Sequence, residues 1–160
     1  MPKPTATTPA QLAALLRPEA IQLDVQARAK EPALREIAAL LAGHAAVPDV
    51  ETLTLEILAR ERESNTALGH AIALPHARTD HCRDIVIAVG RSTAGIDYQA
   101  PDGQPVQLVF LLGTPQSLVT EYLRVVGSLA RLLANAALRQ QLLAAHDARQ
   151  FIALIADAQA

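Results

Sequence analysis

Two apolar runs constrain this chain more than any other feature. Ile85-Val86-Ile87-Ala88-Val89, opened by Asp84, and Val106-Gln107-Leu108-Val109-Phe110-Leu111-Leu112 are short and nearly continuous in apolar residues. Such runs suit strands buried in a sheet. Ala100-Pro101-Asp102-Gly103 between them carries turn residues,. Ile21-Gln22-Leu23-Asp24-Val25 alternates apolar and polar positions, which predicts a further strand,.

Most other apolar residues recur with helical spacing. Residues 9–16 predict a short helix stopped near Pro18, and residues 31–46 a longer one, with Ala33, Ile37, Leu40, Leu41 and Ala45 on one face and Pro32 tolerated in the first turn,. Asp49 is the expected N-cap of the next helix, which buries Val50, Leu53, Ile57 and Leu58 and ends near Arg60 to Glu63,. Ser64 to Gly69 is small and polar, hence a loop, and Ala71 to Leu74 is a short apolar piece broken by Pro75,. Beyond Pro115, the stripe Leu118, Tyr122, Val125, Val126, Leu129, Leu132 and Leu133 predicts a helix, followed by two shorter ones over 136–145 and 148–158. The expected fold is α/β: a mixed β-sheet sandwiched between helices, one domain over residues 9–160 behind a flexible Pro- and Thr-rich terminus at 1–8.

Composition excludes several functions. Only 2% of the 160 residues are aromatic, too few for a stacking platform on single-stranded nucleic acid,. Lys and Arg number 14 against 16 Asp and Glu, so no global field draws the chain to DNA or anionic lipid,. The abundance of Ala and of Arg over Lys suggests a GC-rich bacterial coding bias. No apolar run approaches the roughly 18 residues that span a bilayer, and the first residues make a poor signal peptide. The expectation is a cytoplasmic protein without membrane insertion or nucleic-acid partner. The lone Cys82 cannot close an internal disulfide,.

Chemistry concentrates near Pro75-His76. His70, His76 and His81 fall close together, with Cys82 beside them. His76 follows a buried-looking strand and a proline, which fixes the backbone and can present the imidazole in a surface depression. A neutral imidazole is a good nucleophile. Arg60 and Arg62 at a helix end, and Asn65, Thr66 and Gly69 in the loop, offer guanidinium, amide, hydroxyl and backbone donors suited to a phosphoryl group,.

The stretch Glu61 to Ala77, ERESNTALGHAIALPHA, resembles the active-site signature of phosphotransferase-system IIA domains of the fructose/mannitol type. Glu61 takes the acidic place, Leu68-Gly69 the middle pair, and Ile72-Ala73-Leu74-Pro75-His76-Ala77 completes the run. IQLDVQARAK and AGIDYQAPDGQPVQLVFLLGTP extend the likeness to roughly residues 10–158. The wording LGxxIALPHAR and the lack of an attached sugar-transport domain resemble the stand-alone nitrogen-regulatory subgroup. The resemblance implies a single type-2 IIA domain acting as a phosphotransferase component. His76 would accept phosphate on Nε2 from an HPr-like carrier, Arg60 would stabilise the phosphate, and Asn65, Thr66, Gly69 and His70 would border the site. It also implies no metal, no organic cofactor, and regulatory target proteins switched by phosphorylation.

Three positions depart from the family pattern. Ala67 stands in a loop that commonly reads Gly-Ser-Thr-Gly, and Ala71 replaces a usual glycine,. Tyr122 occupies the place where the family often keeps a second histidine, either as a wall of the site or as a plain core aromatic. A tyrosine gives phosphate one hydrogen bond but no positive charge at neutral pH. This leaves open a IIA-like regulatory binding protein without phosphotransfer. A metal site from His70, His76, His81 and Cys82 is a remote alternative, because their spacings match no usual ligand framework. Otherwise His81 and Cys82 are expected in a surface loop, and His70 at the pocket or in solvent.

Overall fold

The computed structural model describes residues 7–158. The expectation of a flexible terminus lies outside these residues except at Thr7 and Thr8. Thr8 is ordered as an N-cap: its hydroxyl accepts from the Gln11 amide at 3.1 Å, and the Gln11 side chain accepts from the Thr8 amide at 2.9 Å. This capping box opens α1 (Pro9–Ala14),.

The elements that follow are β1 (Ile21–Gln22), α2 (Lys30–Ala38), α3 (Val50–Glu63), β2 (Ala67–Gly69), β3 (Ile72–Ala73), β4 (His76–Arg78), β5 (Val86–Ile96), β6 (Val106–Thr114), α4 (Val119–Leu133), α5 (Ala136–Ala144) and α6 (Ala148–Ala156). They build one mixed sheet between two helical layers, the architecture expected from the sequence. The strand order is β1-β5-β6-β3-β2, with β4 also against β6. The two apolar runs form its centre as the antiparallel pair β5–β6, in the register Val89 to Phe110. Because both faces of this pair are covered, its strands are apolar on both sides. Leu34, Ile37, Leu53, Ile57 and Leu58 of α2 and α3 pack on one face with Ala88, Val109 and Leu111. Tyr122, Val125, Leu129, Leu142, Phe151 and Ile155 of α4, α5 and α6 pack on the other with Val89, Phe110 and Leu112.

Several boundaries differ from the expected ones. The helix expected over 31–46 is α-helical only to Ala38, tightens into a 3₁₀ turn at Ala39–Leu41, and gives way to Gly43 at φ +82°. Of the strand expected over 21–25, only Ile21 and Gln22 pair with β5, in parallel. β5 runs past its apolar stretch to Ile96, but its register with β6 breaks after Arg91 and resumes only at Ile96, opposite Val106,. The loop expected over 64–69 contains β2.

The segment around Pro75 differs most. Pro75 does not end the strand. Ile72 and Ala73 pair with Leu108 and Val109, and His76, Ala77 and Arg78 pair with Leu112, Gly113 and Thr114. The sequence offset is the same throughout, so β3 and β4 form one track along β6. Pro75 lacks an N–H, but its carbonyl still accepts from the Leu112 amide at 2.9 Å,.

Candidate active site

Strand alternation aims the histidine. Ala73 and Ala77 enter the core under α2 and α3, while Ile72 and Leu74 enter the opposite core. His76 continues this second set and meets α4, its ring 5.7 Å from that of Tyr122 with the planes tilted by 49°. The imidazole is half-buried. Its Nδ1 lies 2.9 Å from the Leu74 carbonyl oxygen. A carbonyl can only accept, so this contact in the neutral ring puts the proton on Nδ1 and leaves the Nε2 lone pair available. Among the described residues Nε2 has no partner.

Arg60 stands in the last turn of α3. Its guanidinium is 3.2 Å from Glu63, and its side chain is 45% exposed. Asp49 starts the helix as expected, accepting from the Thr52 amide at 3.1 Å. Arg60 and Arg78 line an open cavity of about 350 Å³ between α3 and β4. Tyr122 is only 3% exposed. Burial pushes its phenol up to about 12, with the positive charges of Arg78 and Arg60 pulling against it. Tyr122 therefore packs in the core, with its ring against that of His76.

The loop side chains have other partners. Asn65 donates to the carbonyls of Tyr98 at 3.1 Å and Gln99 at 3.0 Å, and accepts from the Ala67 amide at 2.9 Å. The Thr66 hydroxyl bonds Glu61 and lies 2.8 Å from the Tyr98 hydroxyl. These groups are engaged inside the protein. Gly69 ends β2, and His70 with Ala71 forms the turn into β3, at the far end of the track. Four strand residues, about 13 Å, separate Ile72 beyond that turn from His76.

Sequence reasoning missed the cluster that holds this loop. Glu61 is buried, and both of its oxygens are partnered. Oε2 receives Lys30 Nζ at 2.9 Å and the Thr66 amide at 2.9 Å. Oε1 receives the Tyr98 hydroxyl at 2.6 Å and the Thr66 hydroxyl. Lys30 also lies over the Tyr98 ring, 4.6 Å from its centroid,. Glu61 was marked by the signature, but Lys30 and Tyr98 join it across long sequence separations that no local pattern reports. Arg78 was legible only as part of a strand, which Pro75 concealed.

Cys82 corrects an expectation. It is not a surface residue but 2% exposed, packed so closely over Gly113 that a Cβ there would lie 2.8 Å from its sulfur. Burial, with the nearby Glu56 charge, pushes its thiol up to about 11. His81 does lie at the surface, 3.7 Å from Glu56. Among the described residues, no group of three His, Cys, Asp or Glu side chains converges as metal ligands would.

Residues 14–158 match the family described as "Phosphoenolpyruvate-dependent sugar phosphotransferase system, EIIA 2". A nitrogen regulatory protein of Pseudomonas aeruginosa is 32% identical over 149 residues, 93% of this chain and 97% of that protein. The fructose-specific EIIABC component of Bacillus subtilis is 34% identical over 141 residues, 88% of this chain, and the match spans only 22% of its length. The crystal structure of the nitrogen regulatory protein IIA-Ntr from Neisseria meningitidis superposes with a TM-score of 0.84 at 27% identity, covering 90% of this chain and 98% of that one. A sheet of this order and a match over nearly the whole described chain lead to one conclusion: the chain belongs to the EIIA type 2 family of the phosphoenolpyruvate-dependent sugar phosphotransferase system.

Proposed function

We propose that this protein is a phosphohistidine carrier, taking a phosphoryl group on His76 Nε2 from an HPr-like protein and changing regulatory partners with its phosphorylation state. The observation that carries this reading is the 2.9 Å contact between His76 Nδ1 and the Leu74 carbonyl. It supports a ring whose Nε2 lone pair points outward without prior loss of a proton. In the transfer, Nε2 forms a bond to phosphorus as the donor's N–P bond breaks, and the electron pair of that bond returns to the donor imidazole. The transition state is loose, so catalysis consists of alignment and charge stabilisation. His76 is aligned by its backbone contact and by the Tyr122 ring, and Arg60 stabilises the phosphoryl oxygens. Asn65 and Thr66 serve the site by fixing the loop rather than by touching phosphate. No metal or organic cofactor takes part.

A regulatory output in nitrogen metabolism is supported by the names of full-length relatives such as the Pseudomonas aeruginosa protein. Phosphate on His76 would place close to two negative charges on a half-buried surface, enough to favour one partner over another.

The test is incubation with phosphoenolpyruvate, the first enzyme of the system and an HPr-like carrier. The protein should gain one acid-labile phosphoryl group, located on His76. His76→Ala should remove all labelling and leave the melting temperature within a degree or two. Labelling of His70 or His81 in that variant would refute the assignment.

A further inference from the structure

A second guanidinium stands on the same strand face as His76. The constant register from Ile72 to Arg78 makes Ile72, Leu74, His76 and Arg78 successive members of one face,. The first two are buried under the α4 side, and the third meets Tyr122. Arg78 is the next position, about 7 Å along the strand, where the sheet opens to solvent. Among the described residues its guanidinium has no ion pair and no side-chain hydrogen bond, whereas Arg60 is already 3.2 Å from Glu63. Arg60 approaches from α3 and Arg78 from β4, and both border one open cavity beside Ala77, which His76 itself does not line. Both charges also reach the Tyr122 hydroxyl, with Arg78 the stronger of the two. That hydroxyl belongs to the ring lying against His76.

We propose that Arg78 is a second phosphate-binding residue, which with Arg60 brackets the phosphoryl group on His76 Nε2. This rests on the phosphoacceptor reading of His76. A phosphoryl dianion there would lie between two planar forks, one partly neutralised by Glu63 and one uncommitted. The uncommitted fork supplies positive charge that Tyr122 cannot.

The experiment compares wild type, Arg78→Gln and Arg78→Lys at equilibrium with a phosphorylated HPr-like carrier. It also follows the phosphorus resonance of the phosphorylated protein as pH is varied. Arg78→Gln should shift the equilibrium toward the carrier by roughly ten- to a hundredfold, the loss of one charge-assisted hydrogen bond. It should raise the pH at which the phosphoryl dianion takes up a proton, with an unchanged melting temperature. Arg78→Lys should recover part of both effects. A wild-type equilibrium and titration in Arg78→Gln would overturn the proposal. So would a slower approach to an unchanged equilibrium, which would make Arg78 a docking contact for the carrier. Wild type that takes no label on His76 would overturn the phosphoacceptor reading itself, and the role of Arg78 with it.

Discussion

The Glu61 cluster and the His76 edge lie within one short stretch of chain and are built on opposite principles. Glu61 is 4% exposed and Lys30 17%, and every oxygen of the carboxylate is matched by a donor. A charge removed from water is tolerated only when it is paired and hydrogen-bonded in this way. At the His76 edge the polar atoms are half-exposed, and Nε2 and the Arg78 guanidinium are uncommitted among the described residues. Saturated polar groups hold a shape; unsaturated ones at a surface are available to a ligand. The two are joined through the backbone. Glu61 holds the Thr66 amide, the Thr66 carbonyl accepts from the Leu74 amide at 3.1 Å, and the Leu74 carbonyl orients the imidazole. The buried cluster positions the residue that the open edge exposes.

The contrast breaks first at Glu61. Glu61→Ala leaves Lys30, Tyr98 and the Thr66 amide without their shared acceptor, and stability should fall by about 3–5 kcal/mol, the usual consequence of removing one partner of a buried pair. Denaturant unfolding measures it. A loss below about 1 kcal/mol would place the pair among ordinary surface ion pairs.

Arg60→Ala should do the reverse. Its ion pair with Glu63 is exposed and contributes little to stability,. Phosphoryl transfer should slow roughly ten- to a hundredfold, matching a charge-assisted hydrogen bond of about 1.5–3 kcal/mol. Normal transfer rates together with a large drop in melting temperature would move Arg60 to the structural side of the comparison.

A smaller effect is expected at the turn that feeds the track. His70 and Ala71 hold φ of +56° and +64° between paired Gly69 and Ile72, the backbone of a type I′ hairpin. Such a turn favours Asn-Gly, because left-handed residues with a Cβ are strained by about 1–2 kcal/mol. Ala71→Gly should therefore raise stability by about 1 kcal/mol, visible as a melting temperature higher by about 2–4 °C. A lower melting temperature would show that the surrounding contacts, not glycine-like freedom, set this turn.

Tyr122→Phe gives the smallest expected change, a few-fold slower transfer from the loss of one neutral hydrogen bond of about 0.5–1.5 kcal/mol to phosphate. It carries a pH signature too. The folded phenol is pushed up to about 12 from an ordinary value of 10, so Tyr122 stabilises the fold fully below pH 10 and loses that contribution as pH rises through 12. The Phe variant should lose less stability over that interval. Equal alkaline loss in both proteins would show that the Tyr122 hydroxyl meets water freely.

Much of the fold was legible because its signals are local. The central pair β5–β6 is written in its apolar runs, α3 in Asp49 and its buried stripe, and α4 in the spacing from Tyr122 to Leu133. The boundaries were less so. Nothing near Ala38 stops an α-helix by composition, and nothing in the polar run after Arg91 shows that β5 rejoins β6 at Ile96. His76 and Arg60 stood out through residue type and spacing. The side-chain commitments of Asn65 and Thr66 did not, since donors in a small polar loop look alike whether they face solvent or Glu61. Cys82 falls after the signature, where the resemblance implies no chemistry, and so reads as a surface loop residue. It is buried because Gly113, distant in sequence, leaves room for its sulfur.

The sequence by itself determined the layered α/β class, the central strands and the helix carrying Arg60, and singled out His76 as the candidate phosphoacceptor, all of which depend on periodicity, capping or a short motif. Tertiary structure alone decided which nitrogen of His76 is free, that Pro75 interrupts a strand without ending it, that Arg78 shares the histidine's face, and that Lys30 and Tyr98 close around Glu61. The physical reason is register. Side-chain direction along a strand, and the company of a buried charge, are fixed by which backbone lies alongside, and pairing between segments so far apart in the chain leaves no mark in either one alone.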